Sequence, residues 1–350
     1  MKKELLNYTK KELQNLMEDL GEPSYRASQV FRWIYEKGVV DFTQMTDLGK
    51  DLRKRLSELF TVTPLTVKKT LISQDGTLKF LFSLPEGDEV ESVVMFYNDR
   101  ITICISSQVG CPVGCKFCAT GMSGFRRNLS TYEIVGQLFF AQKYIKKKIT
   151  NVVFMGMGEP LLNYENVIKT IYIINDKEGY NIGQRRMTLS TIGIVEGIER
   201  LAYESVRPNL AFSIHAPSDT IRERIVPINK TYPLSRIIPI LIEYRRITHR
   251  KITLEYVIIK GINDSPDSAK RLRDIARRLR AKVNIIPLNP VPGLGFFPPP
   301  NKTIESFARI VGEKVEVSVR RSKGKEIQAA CGQLRAEYKI REDFLWEESR

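Results

Sequence analysis

The sequence has few features of membrane, secreted or disulfide-stabilised proteins. No run of about 18 apolar residues occurs, which excludes an ordinary transmembrane helix. The opening stretch MKKELLNYTKKELQNL lacks the continuous apolar core and small-residue cleavage site of a signal peptide. We therefore expect a cytoplasmic protein with reduced thiols, in which clustered cysteines bind metal more often than they form structural disulfides.

Acidic residues are scarce relative to basic ones. The 350 residues include 55 Lys and Arg against 40 Asp and Glu, which gives a formal net charge of +15. This charge favours a polyanionic partner, and nucleic acid comes first because nothing indicates a membrane; the alternative is a solubilising surface. The basic groups are spread along the chain, as suits a large folded RNA, at 50–55, 146–148, 270–282 and 320–325.

Histidine is nearly absent, whereas cysteine is concentrated in one place. Three of the five cysteines lie in CPVGCKFC at 111–118, and neither His215 nor His249 is near them in sequence. A structural zinc site needs four ligands, and this loop offers three. A 4Fe-4S cluster can be held through three of its irons, which leaves one iron open to a small ligand such as S-adenosylmethionine. The spacing favours such a cluster, with an accidental cysteine loop as the alternative.

The pattern of apolar residues predicts an α/β fold with three parts. Residues 1–62 read as short helices that form a small accessory domain, and 63–100 as an antiparallel β extension with a turn at Asp75-Gly76. Over 101–335, strands alternate with helices, which predicts a partial (β/α)6 TIM-like barrel; 336–350 is a tail. The six predicted strands are ITICISSQ, NVVFMG, RRMTLST, NLAFSIH, KITLEYVII and KVNIIPL.

The chemically unusual residues follow the predicted strands of the barrel. In this architecture the carboxyl ends of the strands carry the chemistry. The cysteine loop follows the first strand, MGMGEP the second, and Asn289 the sixth, while Ser190 ends the third and Ser213 and His215 end the fourth. These serines would otherwise cap turns, and His215 would be a hydrogen-bonded structural residue.

Several motifs together resemble a known family. Cys111, Cys115 and Cys118, with Phe117, resemble the signature of radical S-adenosylmethionine enzymes, and MGMGEP resembles their motif for the methionine amino group. From about 90 to 335 and in the same order, the chain closely resembles the RlmN family of RNA adenine-C2 methyltransferases, through CISSQVGCPVGCKFCATG, FMGMGEPLLN, LSTIGI, SIHAP, IIPLNPVPG and AACGQL.

The resemblance implies a role for each candidate site residue. Cys111, Cys115 and Cys118 would ligate the 4Fe-4S cluster. Cys331 would carry the methyl group as S-methylcysteine, Cys104 would resolve it through a transient disulfide, and Glu91 would accept the proton. Without the resemblance, the two outer cysteines would be inert buried thiols and Glu91 an ordinary strand residue. The implied contacts of S-adenosylmethionine are Gly158, Glu159, Ser190, Ser213, Ile214, His215 and Asn289.

The implied reaction methylates C2 of an adenosine in 23S rRNA, at the peptidyl-transferase centre, and in tRNA, just 3′ of the anticodon. It would use two S-adenosylmethionine molecules per turnover and a low-potential electron donor of the flavodoxin or ferredoxin type, in a monomeric protein. One alternative is the sister family that methylates adenine at C8, which shares the cluster loop and AACGQL; GEPLLN, SIHAP and IIPLNP are closer to the C2 enzymes. The second alternative is a metal-stabilised RNA-binding protein without enzyme activity, which leaves Cys104 and Cys331 unexplained.

Overall fold

The computed structural model describes residues 2–320 and 322–335. Arg321 and the predicted tail at 336–350 lie outside these residues. Within them there are eleven α-helices and fourteen strands. The helices are α1 Lys10–Asp19, α2 Tyr25–Tyr35, α3 Lys50–Leu59, α4 Ala119–Met122, α5 Thr131–Ile145, α6 Tyr164–Asn175, α7 Val195–Leu201, α8 Asp219–Ile225, α9 Leu234–Thr248, α10 Pro266–Leu279 and α11 Asn301–Gly312.

The strands form one large sheet and two small ones. They are β1 Lys3–Glu4, β2 Phe60–Thr61, β3 Thr66–Ile72, β4 Leu78–Ser83, β5 Glu89–Phe96, β6 Ile101–Cys104, β7 Gln108–Gly110, β8 Phe125–Asn128, β9 Asn151–Phe154, β10 Met187–Thr191, β11 Asn209–Ser213, β12 Thr253–Ile258, β13 Lys282–Pro287 and β14 Val317–Val319. The large sheet has ten strands in the order β14-β13-β12-β11-β10-β9-β6-β5-β4-β3.

The parallel part of this sheet is the predicted barrel. Neighbouring strands are parallel from β6 through β9 to β14, and β3 to β6 are antiparallel. Among the described strands β6 and β14 do not pair with each other, so the barrel is partial. The six predicted strands are confirmed as β6 and β9–β13. The short edge strand β14 is a seventh that we did not predict.

Along the parallel strands, successive side chains point alternately toward the surrounding helices and toward a cleft. Leu189, Phe212 and Leu254 are fully buried in the core, while their strand neighbours Ser190, Ser213 and Glu255 line a cleft. This alternation follows from the two-residue period of a strand. It places a polar residue of each of three adjacent strands on the same side of the sheet.

The N-terminal helices pack on their own core and against the barrel. Helix α2 buries an apolar stripe, because Val30, Phe31 and Ile34 are fully buried. At the start of α5 the Tyr132 N–H donates to Asn7 Oδ1 at 2.8 Å. On α6, Lys169 Nζ lies 2.6 Å from Glu12 Oε1. Within residues 2–320 and 322–335, every helix is too short or too polar to cross a bilayer.

Candidate active site

A cleft lies beside the carboxyl ends of the parallel strands. It contains about 930 Å³ of empty space, counting the part open to solvent. Ten of the predicted site residues line it, from four strand ends, the cysteine loop and the C-terminal segment. They are Cys111, Cys115, Cys118, Gly158, Glu159, Ser190, Ser213, His215, Asn289 and Cys331. Cys111 and Cys331, which are 220 positions apart in the chain, therefore line one cavity.

The cysteine loop is held by its own backbone between β7 and α4. The Cys111 N–H donates to Gly124 O at 2.8 Å, and the Cys118 N–H donates to Cys115 O at 3.1 Å. Gly110 has a φ of 74°, and a Cβ on it would lie 1.9 Å from Gly124 O, so only glycine fits there. The backbone thus fixes where the three thiols lie.

The thiols of this loop need a cation to become ligands. Burial raises the pKa of Cys111 to about 12 and also raises the pKa of Cys115 and Cys118. Cysteine binds metal as the thiolate, so metal binding must release these protons. In the described part of the chain, no three Cys, His, Asp or Glu side chains are grouped to hold a single metal ion. Three cysteines that line one cavity fit a 4Fe-4S cluster, which takes one thiolate per iron.

The loop after β9 presents a carboxylate at the cleft. Gly158 has a φ of 100°, and a Cβ there would lie 2.6 Å from Gln108 Cβ. Glu159 Oε2 accepts from the Ile192 N–H at 2.8 Å, and Glu159 Oε1 accepts from the Leu161 N–H at 3.1 Å. Burial raises the pKa of Glu159 to about 7, against these hydrogen bonds. A ligand cation would therefore favour the ionised form.

The ends of β10 and β11 add hydroxyl and imidazole groups. Ser190 Oγ and Ser213 Oγ are 3.1 Å apart. His215 has a φ of 54°, and its Nδ1 accepts from the Val257 N–H at 3.2 Å. Burial, and then the charge of Arg222, lower the pKa of His215 to about 3, so the ring is neutral and its proton is on Nε2. Ile214 is fully buried and does not line the cleft.

The segment that carries Cys331 is attached through its backbone. Asn289 Nδ2 donates to Cys331 O at 3.1 Å, the Ala119 N–H donates to Gly332 O at 2.8 Å, and Thr120 Oγ1 donates to Leu334 O at 2.6 Å. Asn289 Oδ1 is buried and has no hydrogen-bond donor among the described residues. An acceptor left free at the cleft wall fits a ligand that brings its own N–H or O–H.

Cys104 lies behind the cleft and shares a second, smaller cavity with Cys331. Burial, and then the neighbouring Cys331, raise the pKa of Cys104 to about 12. Arg320 lines both cavities. The neighbouring Cys331 raises the pKa of Arg320, while Arg320 opposes the rise at Cys104. The guanidinium thus favours the thiolate form of Cys104.

Glu91 lies apart from both cavities, in an ion pair. Glu91 Oε1 is 2.8 Å from Lys79 Nζ, and the two side chains are 5% and 9% exposed. Glu91 Oε2 accepts from the Arg335 N–H at 2.8 Å. Glu91, the predicted proton acceptor, therefore contacts the C-terminal segment that carries Cys331, but it does not line the cleft.

Four residues near the site were not predicted from the sequence: Arg222, Arg320, Glu255 and Lys79. Strand alternation could have identified Glu255 as a cleft residue. Glu255 follows the buried Leu254 on β12 in the same way that Ser213 follows the buried Phe212 on the neighbouring strand β11. Its carboxylate accepts from Asn284 Nδ2 at 2.7 Å, and burial raises the pKa of Glu255. The other three lie in basic or mixed stretches where composition does not separate a buried cation from a surface one.

Comparison with known proteins identifies the family. Residues 3–62 match the family described as the ribosomal RNA large subunit methyltransferase N-terminal domain, and residues 105–272 match the radical SAM superfamily. A probable dual-specificity RNA methyltransferase RlmN of Thermotoga maritima is 49% identical over 95% of this chain and 97% of that protein. This chain belongs to the RlmN family.

Other members of the RlmN family and one solved structure agree. The relative from Fervidobacterium nodosum is 45% identical over 97% of this chain and 99% of its own length. The crystal structure of a radical SAM methyltransferase from Sphaerobacter thermophilus superposes with a TM-score of 0.91, at 44% identity, over 96% of this chain and 100% of that chain. The radical SAM superfamily implies a 4Fe-4S cluster and S-adenosylmethionine, and the three thiols and free acceptor of the cleft fit both.

Proposed function

We propose that this protein is a radical S-adenosylmethionine methyltransferase that methylates C2 of adenosine in 23S rRNA and tRNA. The targets would be an adenosine of the peptidyl-transferase centre and the adenosine 3′ of the anticodon. The alignments with two relatives cover 97% and 99% of the relatives' own lengths. Both relatives are named probable dual-specificity RNA methyltransferases. The observation that carries the proposal is the position of Cys331, which lines the cleft of the cluster cysteines and the small cavity of Cys104.

The cleft residues divide into those that would hold the cluster and those that would hold S-adenosylmethionine. When bound, these groups supply a methyl group, an electron at low potential and a carbon radical. The Glu159 carboxylate suits the ammonium group, and Asn289 Oδ1 suits an N–H or O–H donor. We assign the cluster to Cys111, Cys115 and Cys118, and S-adenosylmethionine to Gly158, Glu159, Ser190, Ser213, Ile214, His215 and Asn289.

Cys331 would solve the chemical problem of the target carbon. Adenine C2 lies between two ring nitrogens and is not nucleophilic, so direct displacement of a methyl group onto it fails. A methyl group carried on Cys331 Sγ can instead be activated and joined to the ring. We expect two molecules of S-adenosylmethionine to be consumed for each methylated base, since one serves as methyl donor and one as radical source.

Cys104 and Glu91 would release the product. The Cys104 thiolate attacks Cys331 Sγ, so that an S–S bond forms and the bond from Sγ to the transferred carbon breaks. The electron pair of the broken bond stays on the carbon, which takes up a proton to complete the methyl group, and Glu91 takes the proton lost from C2. The one electron left over from the radical addition would pass to a bound cluster. Because Glu91 now contacts Lys79 and the Arg335 N–H, this role requires the segment at 331–335 to move when RNA enters.

The remaining assignments concern partners and organisation. We propose a cytoplasmic monomer that receives electrons from a flavodoxin- or ferredoxin-type donor, and domains at 1–62, 63–100 and 101–335. The net charge of +15 and the match of residues 3–62 to an rRNA methyltransferase domain support RNA binding by the N-terminal helices.

Mass spectrometry of digested RNA tests the proposed reaction. Reconstituted protein, S-adenosylmethionine and a reductant should convert adenosine in 23S rRNA and in tRNA to 2-methyladenosine, and Cys331→Ala should not. A product methylated at C8 would replace the proposal with the C8 reaction. Unmodified RNA with full iron content would contradict both reactions and favour an RNA-binding protein without this activity.

A further inference from the structure

Arg222 on α8 is a fully buried arginine that contacts the turns after β10 and β11. Its Nε donates to Ile214 O at 3.0 Å, one Nη donates to Ile192 O at 2.6 Å, and the other donates to Asn229 Oδ1 at 2.7 Å. The guanidinium therefore joins the turn after β10 to the turn after β11. All of these acceptors are neutral.

The charge of Arg222 has no carboxylate in direct contact within the part of the chain that the structure describes. Asp219 lies one amide away, because its Oδ1 accepts from Asn229 Nδ2 at 2.9 Å. Burial lowers the pKa of Arg222 to about 10, which still leaves it charged at neutral pH. A whole positive charge is thus kept in a dry place, where its hydrogen-bond acceptors among the described residues are neutral carbonyl oxygens. Stability does not explain this, since a buried charge costs free energy that an apolar residue would not.

Arg222 is held at a fixed position relative to the cysteine loop. Within that loop, the Lys116 N–H donates to Ile225 O, the last residue of α8, at 3.0 Å. Arg222 lies one helical turn before Ile225. Lys116 directly follows Cys115, so α8 and the buried Arg222 are tied to the backbone next to one of the cluster cysteines. Arg222 does not line the cleft itself, so it would not touch the cluster or S-adenosylmethionine.

We propose that Arg222 is a positioning residue whose buried charge raises the reduction potential of the cluster held by Cys111, Cys115 and Cys118. The inference rests on the proposed cluster. When the electron donor transfers one electron, the cluster gains one negative charge and the donor loses one. A fixed positive charge in a medium of low dielectric constant stabilises that reduced form more than the oxidised form. Arg222 would thereby let a donor of modest potential reduce the cluster.

The neighbouring residues offer variants of opposite sign. Arg222→Gln removes the charge and keeps hydrogen-bond donors. Asp219→Asn removes a negative charge that lies one amide away from Arg222 and keeps an acceptor at the position of Oδ1, which takes both the Asn229 amide and the Leu234 N–H. Arg224→Gln is the matched control, because Arg224 is exposed on the same helix and its charge is screened by water.

The experiment is a redox titration of each reconstituted full-length variant, followed by the electron paramagnetic resonance signal of the reduced cluster. Arg222→Gln should lower the equilibrium constant for reduction of the cluster at least about tenfold. This change corresponds to a midpoint potential about 59 mV more negative for a one-electron couple. Asp219→Asn should shift the potential in the positive direction, and Arg224→Gln should not shift it. A solely structural role for Arg222 predicts no such pair of opposite shifts.

Each possible result either supports or contradicts the proposed effect of Arg222 on the cluster. An unchanged potential in an Arg222→Gln protein that retains full iron overturns the inference. If Arg222→Gln does not retain iron, Asp219→Asn decides alone: a positive shift supports the proposed charge effect, and an unchanged or more negative potential overturns it. A wild-type protein that takes up no cluster contradicts the proposed function itself, and this result is seen before any variant is titrated.

Discussion

Replacing Lys79 with methionine should destabilise this protein far more than replacing a surface lysine. Lys79 Nζ is 2.8 Å from Glu91 Oε1, and the side chains are only 9% and 5% exposed, so water screens neither charge well. Methionine fills most of the volume of lysine and removes the cation. Glu91 would then lose the cation that lies 2.8 Å from its carboxylate, and removing one partner of a buried pair costs about 3–5 kcal/mol.

A second ion pair of the same β extension provides the control. Lys68 Nζ lies 2.5 Å from Glu89 Oε1, but the Lys68 side chain is 57% exposed. Exposed pairs contribute about 0.2–1 kcal/mol, so Lys68→Met should be nearly neutral. Lys79→Arg keeps the charge and should fall between the two methionine variants.

Urea unfolding followed by far-ultraviolet circular dichroism measures the difference. The transition midpoint of Lys79→Met should fall strongly at an unchanged slope, since a changed slope would report on the denatured state instead. A loss of about 3–5 kcal/mol is large for a domain whose total stability is about 5–15 kcal/mol. Equal free energies of unfolding for Lys79→Met and Lys68→Met would refute the view that Glu91 depends on Lys79.

Three further predictions concern the reaction and its ligands. Cys104→Ala should accumulate a covalent protein–RNA species, seen as a nuclease-sensitive shifted band on a denaturing gel, and Cys331→Ala should form none; identical behaviour would overturn their separate roles. S-adenosylmethionine affinity, measured by equilibrium dialysis, should weaken as the pH falls through about 7, because Glu159 takes up a proton there. Glu159→Gln should bind weakly without this dependence, and a pH-dependent Glu159→Gln would point to another group. RNA affinity should fall steeply with salt, since a protein of charge +15 displaces counterions; a flat salt dependence would argue against a phosphate-dominated interface.

Much of the architecture could be predicted because it follows from local pattern. Two-residue alternation marks β10, β11 and β12, and the capping box of Ser130 and Glu133 marks the start of α5, where the Ser130 side chain accepts from the Glu133 N–H. The strand β14 escaped prediction because its three residues are half-buried or exposed and carry little apolar pattern. An edge strand is specified by its partner β13 more than by its own sequence.

The charged residues of the site could not be predicted for a different reason. Arg222, Arg320 and Lys79 are embedded in stretches such as DTIRERI, VSVRRSKGK and TLKFLF, whose composition is equally compatible with a surface position. Only tertiary packing decides which cation loses its water. The role of Cys331 could be predicted from its motif. Sequence alone does not show that Cys331 and the distant cysteine loop line one cavity.

The backbone attachment of Cys331 has a consequence for biosynthesis. Cys331 follows Cys118 by 213 positions. At about 5–20 residues per second, a ribosome needs about 10–40 s to cover that stretch. During this interval the cysteine loop exists without the carbonyls of Gly332 and Leu334 that later cover α4. Iron and sulfide can therefore be delivered to an open loop before the last wall of the cleft is made.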